Sequence, residues 1–236
     1  LHPRACAHTD AMTEDRVLYL DDCFACVNKL ATELVEWNES GDTPLAADLR
    51  RYLGGSEETF VGIVHRLDRP TSGAVIFART EDCLRGLNKM LRDGAIEKTY
   101  WAVVDTPPPE EQARLDHYIL HERDLNKSYA LTGPRPGARP ASLVYRHISS
   151  SDRYHLIEID LLTGRHHQIR AQLHRIGCHI KGDLKYGFPR SNRGGGIHLH
   201  ARHISFAHPL TGASVTITAP VPDEPLWQFF ESVIDS

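Results

Sequence analysis

Strand-like hydrophobic spacing outnumbers helical spacing along this chain, and the two kinds do not alternate regularly. That pattern disfavours a doubly wound fold and predicts the α+β class. "RVLYLDDCFACVNK" (16–29) reads as two short strands about a turn at Asp21–Asp22. "IEKTYWAVVD" (96–105) is β-branched and aromatic, and the prolines at 107–109 forbid its continuation. Further strands are expected over 153–164, 197–206 and 213–219. Helices are expected over 43–53, with Thr43 as cap and Pro44 first, and over 80–94. The second has Thr80 as cap, a buried stripe of Leu84, Leu87 and Leu91, and Gly94 as its stop. Two more follow, over 165–177 and near 223–233, while 133–140 and 186–196 read as basic loops.

At 236 residues the chain can bury enough surface to need no disulfide or metal staple. Its five cysteines are odd in number and scattered, which reads as a reducing, cytoplasmic compartment. Cys23 and Cys26 form a lone CxxC with no second pair, so two half-buried thiols are expected rather than a metal site. No apolar run has the length of a membrane-spanning helix or the form of a signal peptide. Residues 1–11 are expected to be a disordered extension ahead of one domain, 12–236, acting as a monomer.

The net charge of −4 hides an asymmetry. Residues 1–60 carry 5 basic and 12 acidic side chains, whereas 161–205 carry 8 basic and only 1 acidic, with seven histidines besides. A concentrated basic segment matters more for phosphate contact than the whole-chain sum. A solvated basic face would give the same composition.

The densest cluster lies in "IVHRLDRPTSGAVIFART" (63–80), where His65, Arg66, Asp68 and Arg69 interrupt two apolar runs. If the first strand persists to Asp68, Arg66 and Asp68 share a face and Leu67 points into the core. "RPTSG" then supplies turn chemistry, with Pro70 fixing φ and Gly73 free to take an unusual conformation. A carboxylate on a stiff loop beside cations suits a nucleophile or electrostatic stabiliser, and equally a structural Arg–Asp pair.

"HRLDRPTSG" resembles the HRLDxxTSG signature of the RluA-type pseudouridine synthases. "VLYLDDCFACVNK", "EKTYWAVV", "LLTGRHHQIRAQLHRIGCHIKGDLKYG" and "HLHARHISFAHPLTG" resemble further segments of that family in the same order, over roughly residues 16–222. The resemblance implies a mixed, largely antiparallel sheet with flanking helices and a central cleft. It also implies isomerisation of uridine to pseudouridine in ribosomal or transfer RNA, with no cofactor and no metal. Asp68 would be the nucleophile, Tyr100 would stack on the target base and assist proton transfer, and Arg165 would pair with Asp68. Arg66 would replace the extruded base, and Ile169 would wall the base pocket, though its helical spacing also suits the core. Lys29, Lys98, Arg170 and Arg175 are candidates for phosphate contact or for a solvated face. Arg165 at a helix start would have the dipole on its side.

The chain departs from the family pattern in places. "NKLATEL" lacks the usual proline and glycine after the lysine, so that loop is expected to be reshaped. His166 stands where threonine is usual, "GCHI" replaces GHPI, and Ala74 occupies a frequent leucine position. The separate N-terminal RNA-binding domain of many relatives is not expected. An inactive RNA-binding paralogue is the main rival, and it predicts RNA affinity without product. A glycoside hydrolase would need a second carboxylate in a defined role. Ser72 lies in "PTSGA", which is no nucleophile elbow.

Overall fold

A computed structural model describes residues 12–37, 41–55 and 59–234. Eleven strands form one sheet: β1 (Val17–Leu20), β2 (Phe24–Lys29), β3 (Gly62–Ile63), β4 (Ser72–Ala78), β5 (Glu97–Val104), β6 (Gln112–Glu122), β7 (Lys127–Leu131), β8 (Arg139–Ser150), β9 (His155–Leu161), β10 (Leu199–Ala207) and β11 (Ser214–Thr218). Four helices accompany them: α1 (Leu45–Tyr52), α2 (Glu81–Arg92), α3 (Gln168–Arg175) and α4 (Pro225–Ile234). The class is the expected α+β, and residues 1–11 lie outside the described set.

The strand order is β1-β2-β4-β10-β5-β9-β8-β6-β7, with β11 on β10 and β3 on β4. Every named strand pairing is antiparallel except β10 with β4, which is parallel and limited to His200–Ser72 and Ala201–Gly73. Gly73 permits this short seam. Its φ is +117°, and a Cβ there would stand 2.4 Å from the Ala201 carbonyl oxygen. Only glycine can bring the two backbones that close.

Period-two alternation divides the central strands between two cores. On β2, Ala25 and Val27 face one cluster while Phe24 and Cys26 face the other. On β4, Val75 and Phe77 oppose Ala74, Ile76 and Ala78 in the same way. β5 sends Tyr100 and Ala102 to the first face, and Trp101 and Val103 to a third cluster under Trp227 and Phe230 of α4. The first face carries Leu67 and Ile169 as well, so the helix α3 and the 64–68 segment meet over it.

Thr80 caps α2 as expected, accepting from the Cys83 N–H at 3.2 Å. Three expectations need correction. The 63–68 strand is paired only at Gly62–Ile63, and the rest runs extended without a ladder. The helix expected from 165 starts at Gln168, because a turn over 163–168 is closed first: the Gln168 side-chain oxygen accepts from the Arg165 N–H and from the Thr163 hydroxyl. Cys23 and Cys83 are joined in a disulfide across 5.6 Å between Cα atoms, which fastens α2 to the sheet and leaves Cys26 and Cys178 as free buried thiols. No helix among the described residues is long and apolar enough to cross a membrane.

Candidate active site

Asp68 ends the extended 64–68 segment at a turn in which the Thr71 N–H donates back to its carbonyl at 2.9 Å. The turn is fastened from three sides. Thr32 N–H donates to the Arg69 carbonyl at 2.8 Å, and Ile197 N–H to the Pro70 carbonyl at 3.0 Å. From below, Lys29 sends its ammonium to the carbonyls of Leu30, Arg69 and Thr71 at 3.0, 3.0 and 2.6 Å. Lys29 is fully buried, and burial draws its pKa down to about 7. Three carbonyls satisfy the three N–H groups of a protonated amine. The expected phosphate contact is therefore corrected: Lys29 is an internal clip beneath the Asp68 loop.

Asp68 faces a cavity of about 1140 Å³ whose walls include Tyr100, Ile169, Lys98, Arg66 and Arg165. Its carboxylate is a quarter exposed. Arg170 Nη1 donates to Asp68 Oδ2 at 3.0 Å, while Nε and Nη2 grip Asp183 at 2.7 and 2.8 Å. Burial opposes the Arg170 charge, but the bonds to Asp183 and Asp68 outweigh it and push its pKa up. This guanidinium also lies over the Tyr186 ring, 5.0 Å from its centroid.

The pairing expected of Arg165 is thus made by Arg170. Arg165 sits in the turn before α3 and its Nε donates to the Pro140 carbonyl at 3.0 Å, so it lines the cavity without pairing with Asp68. Arg170 in turn is buried and is no phosphate contact. Asp183 carried the overlooked signal. It is the lone acid in the basic 161–205 segment, and such a group is buried only when paired.

Tyr100 is buried at the cavity wall, and its phenol pKa is raised by burial and further by the Asp68 charge. Ile169 belongs both to the wall and to the main core. Lys98 is half-buried at the cavity, and burial lowers its pKa. Arg66 is exposed at the rim and pairs with Glu36. Arg175 is exposed at the far end of α3 and does not line the cavity.

Sequence reasoning passed over His167. It adopts a left-handed conformation (φ +52°) just before α3, with Nε2 3.6 Å from Asp68 Oδ2 and Nδ1 3.0 Å from the Tyr186 hydroxyl. Burial, with the Arg170 charge beside it, lowers its pKa to about 2, so the ring is neutral. The Tyr186 hydroxyl also accepts from Ser128 N–H at 2.8 Å and lies 3.1 Å from the Ser128 carbonyl, closing the outer edge of β7.

The fold class defined here is shared with solved structures: the human RNA pseudouridylate synthase domain-containing protein 4 superposes with a TM-score of 0.74 at 23% identity, over 91% of each chain. The sequence matches the RNA pseudouridylate synthase family over residues 24–175. An uncharacterized RNA pseudouridine synthase of Chloroflexus aurantiacus is 37% identical over 76% of this chain, which spans 57% of that relative's length. The tRNA pseudouridine synthase C of Yersinia pestis is 33% identical over 90% of this chain and 88% of its own. The chain belongs to the RNA pseudouridylate synthase family.

Proposed function

We propose that the protein isomerises uridine to pseudouridine within ribosomal or transfer RNA, using Asp68 as the nucleophilic carboxylate. The observation that carries this reading is the Asp68 carboxylate, presented to the cavity by a fastened turn and oriented by the buried Arg170–Asp183 pair. Relatives named for transfer RNA and for the large ribosomal subunit both match the chain, which is why both substrates are proposed.

The N1–C1′ bond breaks, the uracil turns within the cavity, and C5 bonds to C1′. The C5 proton leaves to solvent and N1 gains one, so the reaction is atom-balanced with no redox partner. Attack at C1′, attack at C6 and deprotonation at C2′ all require Asp68 in one fixed orientation, which its bond to Arg170 provides. Tyr100 stays protonated at neutral pH and offers a ring face to the base. Arg66 fills the gap left in the RNA helix, and Lys98 and Arg165 take flanking phosphates. Extruding the base costs a few kcal/mol, which phosphate contacts and stacking offset.

Tritium release from C5-labelled, unmodified ribosomal and transfer RNA transcripts tests the reading. The parent protein is expected to release label and Asp68→Asn to release none while still binding RNA. Binding without release by the parent would overturn it.

A further inference from the structure

Trp37 is 65% exposed, and its ring stacks on none of the described residues. The other two tryptophans are buried and have partners: Trp101 lies under the Arg202 guanidinium and Trp227 is stacked on His198. Trp37 nevertheless lines the cavity that Asp68 faces. It is also held in place. Two residues earlier Val35 is buried in the main core, and the carbonyls of Leu34 and Val35 accept from the first N–H groups of α1. Its neighbour Glu36 binds Arg66, so the indole and the arginine next to the nucleophile occupy one stretch of the rim.

An exposed tryptophan alone means little, because single apolar side chains on surfaces are ordinary. Its company changes the reading. The same rim carries Arg66, Arg92, Lys98 and Arg165. Cations that track a backbone, interleaved with an aromatic face, are the makeup of sites for unstacked nucleic acid. When a uridine leaves its helix, the bases on either side each lose a stacking partner.

We propose that Trp37 is the platform on which a base flanking the target uridine stacks, making the 34–37 segment a specificity-determining lip of the site. This rests on the reading of the protein as an RNA pseudouridine synthase. On RNA entry a phosphate competes for Arg66, its pair with Glu36 opens, and Arg66 and Trp37 together replace the stacking lost by the extruded base. The lip follows directly on "NKLATEL" (28–34), the stretch that departs from the family's NKP-G pattern.

The test uses Asp68→Asn protein, so that no turnover occurs, and whichever of an unmodified tRNA transcript and an unmodified large-subunit rRNA fragment it binds more tightly. With excitation at 295 nm, RNA is expected to quench the tryptophan emission, and the quench is expected to vanish in the Trp37→Phe version. Trp37→Ala should weaken RNA binding by roughly 5- to 100-fold, and Trp37→Phe should restore most of it. Because the side chain is exposed, thermal melts of both variants should match the parent. Binding of Trp37→Ala within about twofold of the parent, or tight binding with no Trp37-dependent quench, overturns the proposal. Failure of the enzymatic reading looks different: the protein with Asp68 intact would release no tritium while the quench persisted.

Discussion

Arg170→Lys keeps a positive charge of similar reach but loses the planar fork whose separate N–H groups span the two carboxylates. The guanidinium makes three charge-assisted bonds, two to the buried Asp183 and one to the quarter-exposed Asp68. Such bonds contribute about 1.5–3 kcal/mol each, and the one at the more exposed carboxylate counts for less. A lysine that retains one contact with Asp183 forfeits the other two, a loss of about 4 kcal/mol, in line with breaking a buried ion pair. In a chain of this size each kcal/mol moves the melting temperature by about 2–4 °C, so the variant should melt roughly 8–16 °C lower. With Asp68 no longer oriented, turnover should fall by roughly 100-fold or more at a temperature where the variant is still folded. Circular-dichroism melts and tritium release on one preparation give both numbers. Arg165→Lys, which disturbs the bond to Pro140 and leaves Asp68 and Asp183 alone, is the control for the melt and should cost about 1 kcal/mol or less of stability. An Arg170→Lys protein that melts within about 2 °C of the parent and turns over normally would refute the argument.

Lys29→Met should destabilise by about 2 kcal/mol or more, because the Leu30 and Thr71 carbonyls lose the ammonium and Arg69 keeps only the Thr32 N–H, and it should depress activity by loosening the 69–71 turn; a urea denaturation midpoint equal to the parent's would contradict this. Gly73→Ala forces a Cβ to 2.4 Å from the Ala201 oxygen at a φ of +117°, so a loss of about 3 kcal/mol or poor soluble yield is expected in a thermal-shift and expression comparison. Acid should weaken the fold through His167 and His200, whose pKa values burial lowers to about 2 and about 4. Below about pH 6.5 the unfolded chain binds protons that these rings refuse, so their contribution is full above that pH and is lost as pH falls towards the folded values. Between pH 6.5 and 5 the two together account for about 3 kcal/mol, which denaturant midpoints at each pH would measure, and His200→Gln should flatten the slope.

How legible each element was in the sequence follows from where its side chains go. β2, β4 and β5 are buried on both faces, so their apolar runs mark them plainly. β6, β7 and β8 escaped notice because their outer halves are half-exposed, and in "QARLDHYILHE" His117 and His121 interrupt the apolar residues on the face opposite Arg114, Asp116 and Glu122. A motif match located Asp68 and Tyr100 at the cavity, but it assigned the carboxylate to Arg165 of "GRHHQIR", where Arg170 makes the contact. That depended on a turn closed by Gln168, which delays the helix by three residues and carries Arg165 towards Pro140. Lys29 was misjudged for a related reason: a lysine reads as surface charge unless the carbonyls that surround it are known.

The parallel contact of β4 with β10 joins the two portions of the sheet through two residue pairs, His200–Ser72 and Ala201–Gly73. Asp68 belongs to the portion with β1, β2 and β4, whereas Arg170 and Asp183 belong to the portion with β5 through β10. The bond between Asp68 and Arg170 is therefore a suture across that short parallel seam, beside the Ser72–His200 side-chain bond at 2.9 Å. Under the proposed mechanism the carboxylate that serves the substrate is also the one that ties the two portions together, so a substrate that engages Asp68 competes with that tie.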